Sequence, residues 1–319
     1  MLPPVHTDEE WGAVVPDEAV MRPGAEDLCA RLGVGGAPLT RFGEGSQPVY
    51  AVGDDLVLKL FPGASAEDAE TEARVLAHVQ GRLPVATPEV RAAGVYENDW
   101  RYVLMSRLPG EGLHHAWPRL PAADRDRIVE QAGAALAALH ALDHAPLEDV
   151  LGPGDWREFL ARQRAGAVAR QRARGLSEAW LEQIPDFLDS VPLAGAGAGE
   201  RRVLLHTEFM REHLLVGPAS AGAGAGGGGW GLSGLFDFEP AMIGDPAYDF
   251  VGVGLFVARG EPGVLGRFAA AYGRGFGARE LVAYTLLHVY SNLPWYLREL
   301  PAPGEATLEA VADRWFAFA

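Results

Sequence analysis

The sequence has very little cysteine and no long apolar run. Its single cysteine, Cys29, excludes a disulfide framework, and we expect it to be a buried filler thiol. The longest apolar runs, such as Val251 to Ala258, are far too short to span a bilayer. The chain opens with Asp8, Glu9 and Glu10 rather than with a basic and then apolar leader. These absences predict a cytoplasmic protein without a membrane partner.

Basic residues are few beside acidic ones, at 27 against 43, and the formal net charge is −16. Such a chain repels nucleic-acid phosphates and favours cationic small molecules near its surface. Solubility alone explains the charge equally well. We expect a cationic small-molecule partner and no nucleic-acid partner. The charge does not determine the oligomeric state, for which a monomer is the favoured expectation.

Lysine is almost absent, because 26 of the 27 basic residues are arginine and the remaining one is Lys59, in the run D-D-L-V-L-K-L-F. A coding bias against lysine explains the arginines and leaves this exception unexplained. Lysine is a compact point charge that reaches a phosphate or pairs with one carboxylate. Because the run is apolar and strand-like, we interpret Lys59 as part of a site that requires an ammonium group.

The pattern of elements divides the chain into a β-rich part and a helical part, which indicates an α+β protein of two lobes, 1–107 and 108–319. Residues 39–61 alternate like strands with a turn at Gly53, Asp54 and Asp55. The remaining predictions of the first lobe are a helix Ser65 to Gln80 with Ser65 as N-cap, and strands Glu89 to Glu97 and Arg101 to Ser106.

The second lobe is predicted to be mainly helical, with one hairpin. The predicted helices are Ala122 to Leu142, Asp155 to Ala173, Ser177 to Phe187, Val251 to Tyr272, Ala278 to Leu300 and Leu308 to Phe318. The hairpin strands are His213 to Val216 and Gly231 to Phe238. The alanine-glycine tracts Ala194 to Gly199 and Ala219 to Gly229 cannot pack and are predicted surface loops.

Three stretches carry residues suited to phosphate chemistry. The turn G-E-G-S, with Gly43, Gly45 and Ser46, offers backbone N–H groups to phosphates, although a plain turn explains it equally well. Lys59 follows on the next strand, and a buried lysine requires a carboxylate partner. Glu72, beside the apolar face of its helix, is the expected partner. The resulting ion pair either holds phosphates or is purely structural.

The two remaining stretches carry the acid–base and metal candidates. The run V-L-L-H-T-E-F-M-R-E-H-L-L-V places His206, Glu208 and His213 between two apolar segments. Asp237 lies at the end of an apolar strand. Mg²⁺ bound to a triphosphate takes one or two carboxylate ligands, so Asp237 is a candidate metal ligand. Asp245 is expected to cap or brace its loop.

In this order and spacing the motifs resemble the aminoglycoside phosphotransferase family, which has a protein-kinase-like fold. The runs E-G-S-Q-P-V-Y, V-L-K-L-F, Y-V-L-M-S-R-L-P-G and L-L-H-V-Y are similar to hygromycin B phosphotransferases in particular. The similarity covers about residues 30 to 300. It implies a small β-rich N-lobe, a larger helical C-lobe, and an ATP and Mg²⁺ site between them.

The resemblance also implies roles for individual residues. Lys59 would contact the phosphates, paired with Glu72, and Glu208 would be the catalytic base on the loop of His206. Asp237 would be the main magnesium ligand, with His213 where the family has a magnesium-binding Asn. The residues implied in nucleotide binding are Gly43, Gly45, Ser46, Lys59, Met105, Ser106 and Leu108, the last three as the adenine-contacting hinge.

Two positions depart from the family pattern. Glu208 replaces Asp, which changes the unperturbed pKa only from about 3.9 to about 4.3 but adds a methylene of reach. His213 replaces Asn, and neutral imidazole is a poor ligand for a hard cation. The second metal is then absent or held by Glu212, or His213 binds phosphate as a cation.

For the acceptor, Glu239, Asp249 and Glu299 are acids suited to ammonium groups, and Trp295 could stack on a ring or simply pack in a helix. The favoured function is an ATP-dependent O-phosphotransferase acting on a hydroxyl of an aminoglycoside-like antibiotic. The alternatives are a kinase for a metabolite such as a sugar, choline-like amine or nucleoside, and a non-catalytic nucleotide-binding regulator.

Overall fold

A computed structural model describes residues 2–193, 202–219, 229–261 and 263–318 of the chain. The chain forms two compact units. The first unit comprises Met1–Arg82, Ala86–Pro109 and Gly234–Pro240, and the second comprises Leu83–Val85, Gly110–Ser233 and Ala241–Ala319. The boundary expected after residue 107 lies close to the one after Pro109. The structure differs from the expectation in returning Gly234–Pro240, which carries Asp237, to the first unit.

A five-stranded antiparallel sheet in the order β1-β2-β3-β5-β4 is the centre of the first unit. Its strands are β1 (Leu39–Arg41), β2 (Val49–Val52), β3 (Leu56–Phe61), β4 (Val90–Val95) and β5 (Arg101–Ser106). The predicted turn between β2 and β3 is confirmed, and Gly53 within it has a φ of +61°, a conformation that glycine adopts without strain.

Two N-terminal helices, α1 (Asp8–Val14) and α2 (Glu18–Arg31), belong to the first unit. A capping box between Thr7 and Glu10 begins α1. Buried residues of α2 join a core with Tyr50, Leu58 and Trp100. Cys29 is one of them, so the prediction of a buried thiol is confirmed.

Helix α3 (Ala66–Val79) follows a 3-10 turn at Gly63–Ser65. Ser65 occupies the N-cap position but makes no capping hydrogen bond, so its predicted role is wrong. Its hydroxyl instead accepts a hydrogen bond from Gln47 Nε2 at 3.1 Å. The Ser65 hydroxyl therefore contacts the loop between β1 and β2 rather than the first turn of α3.

Helices dominate the second unit. They are α4 (Leu113–Ala116), α5 (Ala122–Ala141), α6 (Trp156–Ala173), α7 (Glu178–Leu181), α8 (Gln183–Ser190), α9 (Ala247–Gly252), α10 (Val264–Tyr272), α11 (Ala278–Leu287), α12 (Leu293–Glu299) and α13 (Leu308–Trp315). Short 3-10 turns lie at Trp117–Arg119, Ala145–Leu147 and Arg211–His213. The helices of this unit are therefore more broken than the sequence pattern predicts, since Ser177 to Phe187 forms two helices rather than one.

A π-helix, Val253–Ala258, continues α9 and replaces the unbroken helix predicted from Val251 to Tyr272. It ends at Arg259, whose φ of +53° turns the chain into the left-handed region. At the start of α9, Asp245 Oδ1 accepts a hydrogen bond from the Ala247 N–H at 2.8 Å, which confirms its predicted bracing role.

Short strands frame the loop that holds Glu208. β7 (Val203–Leu205) pairs antiparallel with β10 (Met242–Gly244), and a second sheet has the order β6-β8-β9. Its strands are β6 (Glu111–Gly112), β8 (Leu214–Pro218) and β9 (Trp230–Leu235). The predicted loop Ala194 to Gly199 and residues 220–228 of the predicted loop Ala219 to Gly229 lie outside the described residues. Within the described ranges, no helix is both long enough and apolar enough to cross a membrane.

Close packing of α5 on α10 depends on Gly133. A Cβ at this position would lie 2.5 Å from the Phe268 carbonyl oxygen and 3.2 Å from the Tyr272 nitrogen, both backbone atoms. We expect Gly133→Ala to lower the free energy of unfolding by about 1–3 kcal/mol, measured by urea denaturation. Gly12→Ala, in the exposed α1 with nothing within 4 Å of its Cβ, is the control and is expected to stabilise slightly. Equal effects of the two variants would contradict the packing explanation.

Candidate active site

Lys59 lies at the centre of an ion-pair cluster in the first unit. Its Nζ is 3.1 Å from Glu72 Oε2 and 2.7 Å from Glu239 Oε2, and it also donates a hydrogen bond to Asp237 Oδ1. The Lys59 side chain is 7% exposed and that of Glu72 is 1% exposed. The predicted Lys59–Glu72 pair is therefore confirmed.

Local structure explains how the pair is buried. Lys59 is in β3 opposite Val49 of β2 and Val103 of β5, so the strand lies in the middle of the sheet. Glu72 is on the buried face of α3, and the backbone N–H of Phe238 donates a hydrogen bond to it. The helix supplies Glu72 and the segment after β9 supplies Asp237 and Glu239, so three carboxylates meet one ammonium group.

One ammonium faces three carboxylates, and burial makes the imbalance costly. Burial disfavours the charged lysine, but the carboxylates of Glu72, Asp237 and Glu239 outweigh it and hold the pKa of Lys59 well above its usual value. Burial raises the pKa of Glu72, and it raises the pKa of Glu239 to about 7. An added cation would relieve this excess of negative charge.

The donor set fits a hard divalent cation. Glu72, Asp237 and Glu239 each offer a carboxylate oxygen, and these oxygens lie within 4.8 Å of one another. Mg²⁺ prefers such ligands and keeps several waters. Asp237 has a φ of +72°, a strained conformation for a residue other than glycine, which is often found at functional sites. Glu239 was expected to face the acceptor, and the structure corrects this because its carboxylate is bound to Lys59.

The residues predicted to contact nucleotide lie in the same unit. Gly43, Gly45 and Ser46 are exposed in the loop between β1 and β2, and Gly45 has a φ of +100°. In the predicted hinge, Met105 is buried and the Ser106 hydroxyl accepts a hydrogen bond from the Glu89 N–H at 2.9 Å. Leu108 follows β5 and is half-buried. Nucleotide binding by these residues stays a prediction.

The loop after β7, in the second unit, is held by Asp249. Asp249 Oδ2 accepts from the His206 N–H at 2.9 Å and from His140 Nε2 at 2.9 Å, while Oδ1 accepts from the Thr207 N–H at 2.6 Å. The Asp249 side chain is 0% exposed. The expectation that Asp249 faces an acceptor is therefore wrong, because both oxygens are used to fix the backbone before Glu208.

His288 holds the same loop from another side. Thr207 has a φ of +71°, and its carbonyl oxygen accepts from His288 Nε2 at 3.3 Å, while the Tyr290 N–H donates to His288 Nδ1. Burial lowers the pKa of His288 to about 4. The ring is therefore neutral at pH 7 with its proton on Nε2. His140 and His288 were not predicted as site residues, because each lies in a helical segment of ordinary pattern.

The depressed pKa of His288 predicts acid sensitivity. The folded protein resists charging of this ring, so its contribution to stability is complete above the unfolded pKa of about 6.5 and is lost as the pH falls towards 4. Between pH 7.5 and 5 we expect a loss of about 2 kcal/mol from this group. Urea denaturation of wild type and His288→Gln at both pH values measures it. A variant with the wild-type pH slope would contradict the assignment.

Comparison with known proteins places this arrangement in a family. A family model described as "Phosphotransferase enzyme family" matches residues 38–283. The chain belongs to this family. No curated sequence matches the chain. The fold is protein-kinase-like, with a β-sheet N-terminal region and a helical C-terminal region, as the resemblance of the motifs implied.

Solved structures support the fold. The GDP complex of wild-type aminoglycoside 2'-phosphotransferase-IIIa is 18% identical with a TM-score of 0.68, over 83% of this chain and 88% of that chain. The streptomycin–ATP complex of APH(2")-IIa is 14% identical with a TM-score of 0.58, over 91% and 97%. The macrolide 2'-phosphotransferase MphH from Brachybacterium faecium is 23% identical with a TM-score of 0.60, over 91% and 97%. The likeness to hygromycin B phosphotransferases stays a prediction.

The phosphotransferase presents Glu208 at the middle of the fixed loop. Glu208 is half-buried, and its backbone oxygen accepts from His213 Nδ1 at 2.9 Å. The ring of His213 stacks on that of His206, with centroids 5.9 Å apart. Because Nδ1 of a neutral His213 carries the proton, the lone pair is on Nε2. A metal-binding role of His213 stays a prediction.

Arg211, which was not predicted as a site residue, fixes the far end of this loop. Its Nε donates to the Val257 carbonyl oxygen at 2.8 Å and its Nη2 to Glu261 Oε1 at 2.8 Å. Its guanidinium lies 3.7 Å from the ring centroid of Trp117. The loop is thereby tied to the π-helix and the residues just beyond it.

The two remaining acceptor candidates lie in α12. Trp295 is half-buried, and its ring stacks on Phe256 with centroids 5.8 Å apart. Glu299 is exposed, and its Oε1 accepts from Arg298 Nε at 3.0 Å. Contact of either with an acceptor stays a prediction.

Proposed function

We propose that the protein transfers the γ-phosphoryl group of ATP to a hydroxyl of a small molecule, with Mg²⁺ as cofactor. The observation that carries this proposal is the buried cluster in which the chain's one lysine meets Glu72, Asp237 and Glu239. A buried ammonium beside hard oxygen donors is suited to binding a nucleoside triphosphate and its metal ion.

On the nucleotide side, Lys59 would bind phosphate oxygens while Glu72 keeps its ammonium in place. Asp237 and Glu239 would hold Mg²⁺, which neutralises charge on the transferred phosphoryl group when bound. The exposed loop with Gly43, Gly45 and Ser46 would contribute backbone N–H groups. Because Glu239 supplies a second carboxylate from the same segment as Asp237, the metal site does not depend on His213.

On the acceptor side, Glu208 would take the proton of the hydroxyl as its oxygen bonds to phosphorus and the bond to the ADP oxygen breaks. Glutamate has nearly the basicity of aspartate. The loop is fixed at His206, Thr207 and Arg211, so the reach of the longer side chain is set by a rigid backbone.

The acceptor class is proposed to be an antibiotic hydroxyl. The structural relatives are described as aminoglycoside and macrolide 2'-phosphotransferases, and the sequence motifs favour an aminoglycoside-like acceptor. The decisive experiment measures formation of ADP from ATP, or of GDP from GTP, with Mg²⁺ and a panel of aminoglycosides, hygromycin B, macrolides, sugars, choline-like amines and nucleosides. Tight ATP binding with no ADP from any acceptor would reject catalysis in favour of a nucleotide-binding regulator.

Lys59→Arg is the most direct test of the nucleotide side. The planar guanidinium cannot replace a compact ammonium among three carboxylates, so we expect kcat/KM to fall about 10²- to 10³-fold in the ADP-release assay. Arg91→Lys, at an exposed pair with Glu89, is the matched control and is expected to change nothing. Full activity of Lys59→Arg would remove Lys59 from the phosphate site.

A further inference from the structure

Three aromatic residues of the second unit, Phe256, Trp295 and Tyr296, form a continuous cluster. Together with Tyr290, whose backbone oxygen accepts a hydrogen bond from Tyr296, we call them the aromatic wall. Phe256 stacks on Trp295 at 5.8 Å and meets Tyr296 edge-on at 5.9 Å between ring centroids. Trp295 and Tyr296 are 5.7 Å apart. Tyr296 is buried, Phe256 and Trp295 are half-buried, and Tyr290 is 49% exposed. The wall therefore keeps accessible aromatic surface.

Hydrogen bonds connect the aromatic wall to the loop that carries Glu208. The Tyr296 hydroxyl donates to the Tyr290 carbonyl oxygen at 3.2 Å, and the Tyr290 N–H donates to His288 Nδ1 at 3.3 Å. His288 Nε2 in turn donates to the Thr207 carbonyl oxygen, directly before Glu208. Burial and then the charge of Glu208 raise the pKa of Tyr296, so that carboxylate lies near the wall.

The π-helix brings Phe256 to this place. Arg211, in the loop, binds the π-helix at the Val257 carbonyl oxygen. A Cβ at Gly252, just before the π-helix, would lie 2.9 Å from the Phe209 carbonyl oxygen, so loop and helix backbones are in contact. π-helices often occur at functional sites. Here the extra residue in the turn displays Phe256 toward Trp295 and Tyr296.

The acids expected to receive a cationic acceptor are already engaged in other contacts. Glu239 is bound to Lys59 in the first unit, and Asp249 is fully buried beneath the loop. Glu299 is paired with Arg298. The three acids are therefore engaged, whereas the fourth predicted acceptor residue, Trp295, is aromatic and half-buried, and its ring favours contact with an apolar face.

We propose that the aromatic wall binds the apolar face of the acceptor, which is a hydroxylated compound with a large apolar ring and at most one positive charge, such as a macrolide, rather than a polycationic sugar. This inference rests on the proposed function, because it assigns the acceptor of that reaction. Trp295 and Tyr290 supply the accessible contact, and Phe256 and Tyr296 hold Trp295 in place.

Binding tests the inference without turnover. In the Glu208→Ala background, we expect erythromycin, a macrolide with one amine, to bind in calorimetry and kanamycin, a polyamine, not to bind. Adding Trp295→Ala or Tyr290→Ala is expected to weaken erythromycin binding about 10- to 100-fold, and Trp295→Phe is expected to restore most of it. Circular dichroism confirms that each variant is folded. Tyr290→Ala keeps the test valid if Trp295→Ala unfolds.

The outcomes separate this inference from the proposed function. Turnover of erythromycin with a KM raised by Trp295→Ala supports both. If erythromycin binding depends on the aromatic wall but no acceptor yields ADP, the proposed function is rejected and the binding surface stands. Turnover of kanamycin that is indifferent to Trp295→Ala overturns the inference and keeps the function. Failure of erythromycin to bind overturns the inference in every case.

Discussion

Glu208→Ala is expected to lower kcat about 10²- to 10⁴-fold with any accepted substrate, while nucleotide affinity stays unchanged. Glu208 is the carboxylate in the middle of the loop that Asp249, His288 and Arg211 fix. Removing it takes away the group proposed to accept the hydroxyl proton. Lys59, Asp237 and Glu239, in the other unit, remain in place to bind nucleotide. Single-turnover ADP release and equilibrium ATP binding measure the two effects separately.

Glu208→Asp is the informative companion variant. It keeps the acid and its basicity, so we expect activity to stay within about tenfold of wild type, although displacement of about 1 Å can cost more. Glu305→Ala, at an exposed position, is the matched control and is expected to be silent. Normal turnover by Glu208→Ala would show that another group is the base.

Asp249→Asn is expected to lower the free energy of unfolding by about 3 kcal/mol, a large share of the stability of an ordinary domain. Asp249 accepts three hydrogen bonds through its two oxygens, from His206, Thr207 and His140. An asparagine must turn its NH₂ group toward one of these donors, which leaves a buried donor unpaired. Urea denaturation measures the change.

Catalysis by Asp249→Asn should fall as well, because the loop that positions Glu208 loses an anchor. Asp143→Asn is the matched control, since Asp143 is exposed and accepts one hydrogen bond from the Ala145 N–H, which an amide oxygen can also accept. We expect a change within about 0.5 kcal/mol there. If Asp249→Asn were as stable as this control, the buried carboxylate would not be what holds the loop.

The Lys59–Glu72 pair could be predicted from the sequence because both signals are local. A lone lysine in a buried-strand pattern requires a partner, and the period of α3 puts Glu72 on its inner face. The turn at Gly53 followed from alternation and turn chemistry in the same way.

The acids at Glu239 and Asp249 could not be placed by such reasoning. A carboxylate in a loop or at a helix start reads as solvent-facing, and only tertiary contacts with Lys59 or with the backbone of residues 206–207 give it another role. Ser65 was misassigned for a related reason, since Gln47, distant in sequence, binds its hydroxyl. The π-helix was missed because one inserted residue leaves helical periodicity almost unchanged.

Lys59 is the one lysine of the chain, and its amine is enclosed by three carboxylates. Side-chain amine chemistry on this protein is therefore confined to a single atom. An acylating reagent has no other lysine to modify, and an ammonium with a raised pKa acylates slowly. The rate at which that one amine is labelled thus reports directly on how tightly the carboxylates hold it. A bound nucleotide that takes over the ammonium would change the same labelling rate.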